Sequence, residues 1–379
     1  MARIRLGMVG GGKGAFIGAV HRMAARLDDR FELVAMAPSS DPQRARDSGA
    51  ELGLASERVY ADYHAMASVE KALDDGVEAV AIVTPNHLHY PVACAFMDAG
   101  IHVMCDKPLT RTLEEALDLQ GRAQHSSVLF GVAYTYSGYP MVRQAREMVA
   151  NGALGEIRLV QVEYAQGWLA EDIESGGQKQ ALWRTDPALA GKGGCIGDIG
   201  THAFHLAGFV TGLRVTELSA DLHTFVPGRR VDDNAQIGLR FENGARGHLW
   251  ASQVATGSQN ALSIRVFGTK GALRFCQEAP EELWYTPLGE PARRLTRGGS
   301  SLSSAASNAT RIPGGHPEGY LEAFALLYRE LADQIMAQRE GQTLNVALPG
   351  LLDGVMGMRF VDAALRSHAQ GAAWMPLVA

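Results

Sequence analysis

An apolar run at residues 4–9 ends in Gly10-Gly11-Gly12-Lys13-Gly14 and gives way to a helical pattern. That order confines the start of the chain to a strand, a tight turn and a helix. Glycines in such a turn let the backbone approach a pyrophosphate, and the following helix N-terminus presents free N–H groups to an anion. Gly10 and Gly12 fit the first two positions of a G-x-G-x-x-G pattern. The third falls on Ala15, or on Gly18 after a three-residue insertion; Gly18 is preferred, because residues 17–21 then restore the usual helix start. Gly10, Gly12, Lys13 and Gly18 are therefore candidate cofactor contacts.

Strand and helix patterns alternate through the first 130 residues. Strands are expected at 4–9, 31–37, 77–83, 102–105 and 128–132, with helices at 19–27, 43–52, 91–99 and 113–124. The strands are nearly continuous apolar runs, as expected when both faces are buried in a parallel sheet covered by helices. After a helix at 141–151 the pattern changes. Segments 156–165, 215–224, 235–241, 245–255, 262–268 and 272–275 alternate apolar and polar residues, which predicts a mainly antiparallel sheet with one covered face. Its open face suits an interface between subunits. Residues 297–316 are rich in Gly and Ser and read as a mobile loop, and amphipathic helices at 317–339 and 348–367 close the chain. Two domains are expected, 1–130 and 131–379.

At 379 residues, with 46% apolar and 20% charged residues, the chain suits a two-domain globular protein. A net charge of −6 with both signs interspersed gives no basic stripe for nucleic acid. Four scattered cysteines, Cys94, Cys105, Cys195 and Cys276, make a poor disulfide or zinc framework and suit a reducing compartment. The N-terminal segment reads as a strand rather than a signal peptide, and no run is long enough for a membrane span. A cytoplasmic protein without membrane or metal partners is expected.

The second strand runs into Pro38-Ser39-Ser40-Asp41 and then Arg44. Ser39 and Ser40 with an arginine suit a ribose 2′-phosphate, whereas Asp41 suits a 2′-hydroxyl or caps the next helix. NAD is favoured slightly and NADP stays open. Thr84-Pro85-Asn86-His87-Leu88-His89 follows the third strand, where parallel sheets bind ligands; Thr84, Asn86 and His89 are further cofactor candidates. A turn of this composition is also an ordinary strand-to-helix connection.

Cys105-Asp106-Lys107-Pro108 leaves the next strand. A lysine at a strand end can donate to a reacting oxygen and stabilise a developing alkoxide. In Gly193-Gly194-Cys195-Ile196-Gly197-Asp198-Ile199-Gly200-Thr201-His202, Asp198 and His202 stand four apart at a glycine-rich helix start, on one face. An imidazole titrating near about 6.5 suits a general base for a hydroxyl proton, oriented by the carboxylate. The alternative is a helix cap and a packed core histidine. Tyr136, Arg184 and His316 are further substrate-pocket candidates; Arg184 offers a fork of donors for vicinal hydroxyls, or pairs with Asp186.

Taken together, residues 10–21, the Thr84–His89 segment, Asp106-Lys107-Pro108, the Gly152-Ala153-Leu154-Gly155-Glu156-Ile157 turn and the Gly193–His202 run resemble the Gfo/Idh/MocA oxidoreductase family, over essentially the whole chain. The resemblance implies an α/β N-terminal Rossmann domain followed by an α+β domain with a large, predominantly antiparallel open sheet. It implies a sugar or cyclic polyol substrate and a homodimer or homotetramer built on the open sheet face. By position, Lys107 looks like the family lysine that polarises the reacting C–O and His202 like the proton acceptor. Asp198 looks like its substrate-binding neighbour. Asp106 stands where the family usually has Glu beside this lysine and would contact the nicotinamide ribose. The implied activity is NAD(P)-dependent oxidation of a ring hydroxyl of scyllo- or myo-inositol, or of a pyranose, to a ketone. Two other readings remain. One is a bound-NAD enzyme that oxidises a sugar transiently to permit elimination or glycoside cleavage. The other is a non-catalytic nucleotide-binding regulatory protein.

Overall fold

A computed structural model describes residues 3–377. Its internal contacts divide the chain into two units, Met1–Ala133 with Phe324–Val355, and Tyr134–Ala323 with Met356–Ala379. The first unit thus ends three residues beyond the boundary read from sequence and takes in a later segment as well.

In the first unit, β1 (Ile4–Gly10), β2 (Phe31–Ala37), β3 (Ala79–Val83), β4 (His102–Cys105) and β5 (Phe130–Val132) form one sheet in the order β2-β1-β3-β4-β5. All neighbours are parallel. Every residue of β3 is buried, which is why it reads as an unbroken apolar run. Its helices are α1 (Phe16–Leu27), α2 (Pro42–Glu51), α3 (Tyr63–Ala72), α4 (His89–Asp98) and α5 (Leu113–Ala123). Thr112 and Glu115 close a capping box at the start of α5. Helix α3 escaped the sequence reading because it buries only Met66, Ala67 and Glu70, too thin an apolar stripe to stand out. Strand order reverses between β1 and β3, so the crevice at their carboxyl ends is where ligands bind such sheets.

The second unit carries β6 (Ile157–Ala165), β7 (Val215–His223), β8 (Asn234–Phe241), β9 (Arg246–Ser252), β10 (Ala261–Gly268), β11 (Gly271–Cys276), β12 (Glu282–Pro287), β13 (Arg293–Thr296) and β14 (Met375–Pro376). They form one sheet, ordered β13-β12-β11-β10-β6-β9-β8-β7-β14. Every neighbouring pair is antiparallel except β6 and β9. Ala235, Ile237, Leu239 and Phe241 of β8 alternate inward, the period-two signature of a sheet with one covered face. Strands β12 and β13 were missed because Glu282, Arg293 and Arg294 mask that alternation.

The helices numbered onward are α6 (Pro140–Ala150), α7 (Lys179–Arg184), α8 (Pro187–Ala190), α9 (Thr201–Thr211), α10 (Ser304–Ala309), α11 (Tyr320–Arg339) and α12 (Leu351–Ala369). Helix α9 packs on β6, β9 and β10. The segment expected to be a mobile loop is instead tied down. It contains α10, and the buried Arg297 side chain pairs with Glu281 and Glu318 and donates to the carbonyls of Ile312 and His316. A Gly/Ser-rich composition says nothing about such a buried anchor, so the expectation of mobility is corrected. No helix among the described residues is long and apolar enough to cross a membrane.

Candidate functional site

In the first unit, Gly10, Gly11 and Gly14 all hold positive φ. A side chain at Gly10 would strike the Val83 carbonyl, at 2.8 Å from a Cβ, because β1 and β3 run side by side there. Gly18 lies so close to Gly11 that a Cβ would sit 2.3 Å from the Gly11 Cα. The close helix-to-turn approach therefore uses Gly18, three residues later than the strict spacing, and its partner Gly11 had not been singled out. Helix α1 starts at Phe16 with no side-chain cap and no acidic residue in its first turn, leaving its N–H groups for an anion. Thr84 Oγ1 is buried with no hydrogen-bond partner among the described residues. Open turn, uncapped helix and orphaned hydroxyl together fit a dinucleotide pyrophosphate.

The remaining cofactor candidates divide. Lys13 is exposed, its ammonium 3.7 Å from Glu51, and its N–H donates to Ser48. Asp41 caps α2, accepting from the Arg44 N–H at 2.8 Å, and Ser39 accepts from the Asp41 N–H; Ser40 is exposed. The Arg44 N–H holds the Asp41 carboxyl below its ordinary range. Asn86 is buried in the turn after β3. His89 is buried, with Nδ1 2.8 Å from the Pro108 carbonyl and Nε2 2.9 Å from the Thr84 carbonyl. Its imidazole therefore ties the β3 loop to the Lys107-Pro108 turn, and both ring nitrogens are directed at backbone. Asp106 accepts from the Lys107 N–H at 2.8 Å, fixing the start of that turn. The Asp106 N–H donates to the Ile82 carbonyl, so the turns after β3 and β4 lie next to one another.

In the second unit the glycine run forms a π-helical turn, Ile196–Gly200, leading into α9, rather than the plain helix start expected. Such turns concentrate at functional sites. Asp198 sits in it, half-buried, accepting from Gln253 Nε2 at 2.8 Å and facing Arg184 Nε at 3.4 Å. Arg184 also donates to Gln180 and covers the Trp183 ring, while Asp186 pairs with Arg230 instead. His202 is buried on α9 among aromatic rings. Tyr136 meets it edge-on at 4.8 Å between centroids, Tyr134 at 5.7 Å and Tyr164 at 6.1 Å. His205, the other histidine of α9, stacks flat on Tyr134 at 4.3 Å.

A chain of polar groups reaches the same place. Trp168 donates to Gln166, and Gln166 and Tyr164 both donate to Asn260 Oδ1, at 2.8 and 2.7 Å. Tyr136 and Tyr164 share a hydrogen bond through their hydroxyls. Burial pushes both phenols up, so each keeps its proton. Tyr136, Arg184, Asp198 and His202 were read from sequence; Tyr164, Gln166, Trp168, Gln253 and Asn260 were not. Polar residues at the ends of strands and loops carry no mark in the sequence that separates them from ordinary surface. His316 is exposed, and its carbonyl accepts from Arg297.

A model for the oxidoreductase family with an NAD-binding Rossmann fold matches residues 4–134, and one for the GFO/IDH/MocA C-terminal domain matches residues 142–274. The chain belongs to the Gfo/Idh/MocA oxidoreductase family. It is similar to an oxidoreductase of Sinorhizobium meliloti of known crystal structure, at 53% identity and a TM-score of 0.90, covering 99% of this chain and 100% of that one. It is similar to an inositol dehydrogenase homologue of Azotobacter vinelandii, crystallised with NADH and myo-inositol. That likeness is 36% identity with a TM-score of 0.92, over 99% and 97% of the two chains. Levoglucosan dehydrogenase of Pseudarthrobacter phenanthrenivorans is 27% identical over 98% of this chain and 97% of its own. The Gfo/Idh/MocA chain thus has an NAD-binding Rossmann unit and belongs among sugar and polyol oxidoreductases.

Proposed function

We propose that this protein is an NAD(P)-dependent dehydrogenase that oxidises a ring hydroxyl of a cyclic polyol, such as scyllo- or myo-inositol, or of a pyranose, to a ketone. The observation that carries this reading is the His202 cluster: an imidazole ringed by tyrosines, of which Tyr136 and Tyr164 keep their protons, on the helix that follows a carboxylate held by Gln253 and Arg184. Such a surface offers stacking faces for a ring and donors and acceptors for several neutral hydroxyls. The nicotinamide, when bound, would supply the hydride acceptor. His202 takes the hydroxyl proton as the hydride leaves, Lys107 stabilises the developing alkoxide, and Asp198 holds a neighbouring hydroxyl and orients the imidazole. Glycines 10, 11 and 18 and the α1 N-terminus hold the pyrophosphate. The similarity to a chain crystallised with NADH and myo-inositol supports the substrate class.

Absorbance at 340 nm, with NAD or NADP and a panel of inositols, pyranoses and glycosides, tests the reading. Steady reduction on a narrow set of ring polyols is expected. His202→Gln and Lys107→Ala should each lower kcat by a factor on the order of 10² or more. Near wild-type turnover in both variants would sink the assignment.

A further inference from the structure

Asp232 is buried, lies 34 residues beyond Asp198 in sequence, and has no place in the proton and hydride chemistry. Its carboxylate is fully engaged by the turn that leads to the site. Oδ1 accepts from the Gly194 N–H at 2.6 Å, and Oδ2 accepts from the Ile196 N–H at 2.8 Å and from the Cys195 thiol at 2.9 Å. Its own carbonyl accepts from the Cys195 N–H at 2.8 Å. Three consecutive residues of the turn are thus fastened to one aspartate. Gly194 is glycine for the same reason: a Cβ there would lie 2.0 Å from the Asp232 carbonyl oxygen.

The fastening passes directly into the site. The Asp198 N–H donates to the Gly194 carbonyl, and the Thr201 hydroxyl to the Gly197 carbonyl, so the turn continues without a break into the first residues of α9. On the other side, the Gln253 N–H donates to the carbonyl of Asp233, the next residue along. Asp233 is itself pinned by Arg229 and by the N–H groups of Phe225 and Val226. One dipeptide therefore sets both halves of the Asp198–Gln253 hydrogen bond, the turn through the Asp232 carboxylate and the glutamine through the Asp233 carbonyl.

We propose that Asp232 is a positioning residue for hydride transfer, holding the Ile196–Gly200 turn so that Asp198 and His202 face the substrate together. This rests on the reading of Asp198 and His202 as the groups that meet the substrate. A carboxylate suits the task because it accepts from three donors without offering a hydrogen of its own. An amide in its place turns an N–H₂ group toward the Ile196 N–H and the thiol, and the buried donors lose their partner.

The test compares wild type with Asp232→Asn, Cys195→Ala and Cys195→Ser, each labelled with [13Cε1]histidine, with the His202 signal assigned by its loss in His202→Gln. Asp232→Asn should displace the His202 resonance and its titration midpoint, and lower kcat at least about tenfold, with NADH affinity changed less than about twofold. A folded Asp232→Asn protein with wild-type His202 titration and kcat overturns the proposal. Should that variant not fold, the thiol pair decides. Cys195→Ala should move the His202 midpoint and Cys195→Ser, which keeps a donor to Oδ2, should restore it; identical wild-type curves in both overturn it. The resonance is read without substrate, so a wild type that reduces no cofactor sinks the proposed activity and leaves the positioning claim to the spectra.

Discussion

Gln253 donates its side-chain amide to Asp198 Oδ2 at 2.8 Å across 55 residues of chain, and Arg184 Nε lies 3.4 Å from the same oxygen. The carboxylate is therefore aimed by two groups, one neutral and one charged, before any ligand arrives. Gln253→Leu removes the shorter of these contacts and leaves the ion pair. A hydrogen bond to a charged group contributes about 1.5–3 kcal/mol, so kcat/KM should fall about ten- to a hundredfold. Steady-state kinetics alongside an NADH titration checks this; an equal loss of cofactor affinity would contradict a role confined to Asp198.

Gly18→Ala should damage the glycine turn. Its Cβ would stand 2.3 Å from the Gly11 Cα, backbone against backbone, where neither side can give way. Overpacking of that kind costs about 1–3 kcal/mol, and the displaced α1 N-terminus should weaken NADH binding. Calorimetric titration with NADH gives the answer, and wild-type affinity would show that the pyrophosphate does not use this turn.

Glu70, wholly buried, accepts from Arg58 Nε and Nη2 at 2.8 and 2.6 Å, from Tyr60 Oη at 2.8 Å and from the Val77 N–H at 3.1 Å. It joins α3 to the start of the segment that leads into β3. Glu70→Ala leaves the Arg58 guanidinium to the longer contacts with Asp75, at 3.4 Å, and takes the acceptor from the Val77 N–H, a loss of about 1–3 kcal/mol. All five tryptophans lie between residues 168 and 374, outside this region, so indole fluorescence is blind to it. Hydrogen exchange of the β1 and β3 amides should show the loss, and unchanged protection there would refute it.

His21 is buried beneath Tyr328, its Nδ1 2.6 Å from the phenol oxygen. Burial pushes its pKa down to about 4, against the pull of the Asp106 carboxylate. Between pH 6.5 and about 4 the unfolded chain binds this proton and the folded chain does not, so unfolding takes up a proton there. The stabilisation is complete above pH 6.5 and falls away as the pH drops towards 4, by an amount on the order of 3 kcal/mol. Buried His89 is shifted in the same direction. The difference in pH slope between wild type and His21→Gln, followed by hydrogen exchange in the first unit, isolates the His21 share. A variant as acid-sensitive as wild type would refute it.

Local pattern carried much of the architecture. Residues 31–37 and 102–105 are strands at the bounds read from their apolar runs, because most of their residues are buried and only Glu32 and His102 interrupt the run. Helix α3 and strands β12 and β13 were illegible for the opposite reason, since half-exposed elements dilute the periodicity they are recognised by. The same contrast holds among the candidate residues. Lys107 stands out at a strand end before Pro108, and Asp198 and His202 stand out because glycines mark the turn that carries them. Tyr164, Gln253, Asn260 and Asp232 are distant in sequence from those marks and unremarkable in composition.

By itself, then, the amino-acid order determined the parallel and antiparallel halves and the glycine turn, and it marked the segments that carry the candidate residues, all of which follow from periodicity and backbone sterics over a few residues. Only the tertiary structure decided that Gly18 packs on Gly11, that the imidazole of His89 is directed at backbone carbonyls, and that Asp232 and Gln253 hold the Asp198 turn. Those relationships are hydrogen bonds and close approaches between distant residues, and their strength depends on burial that no short stretch of sequence contains.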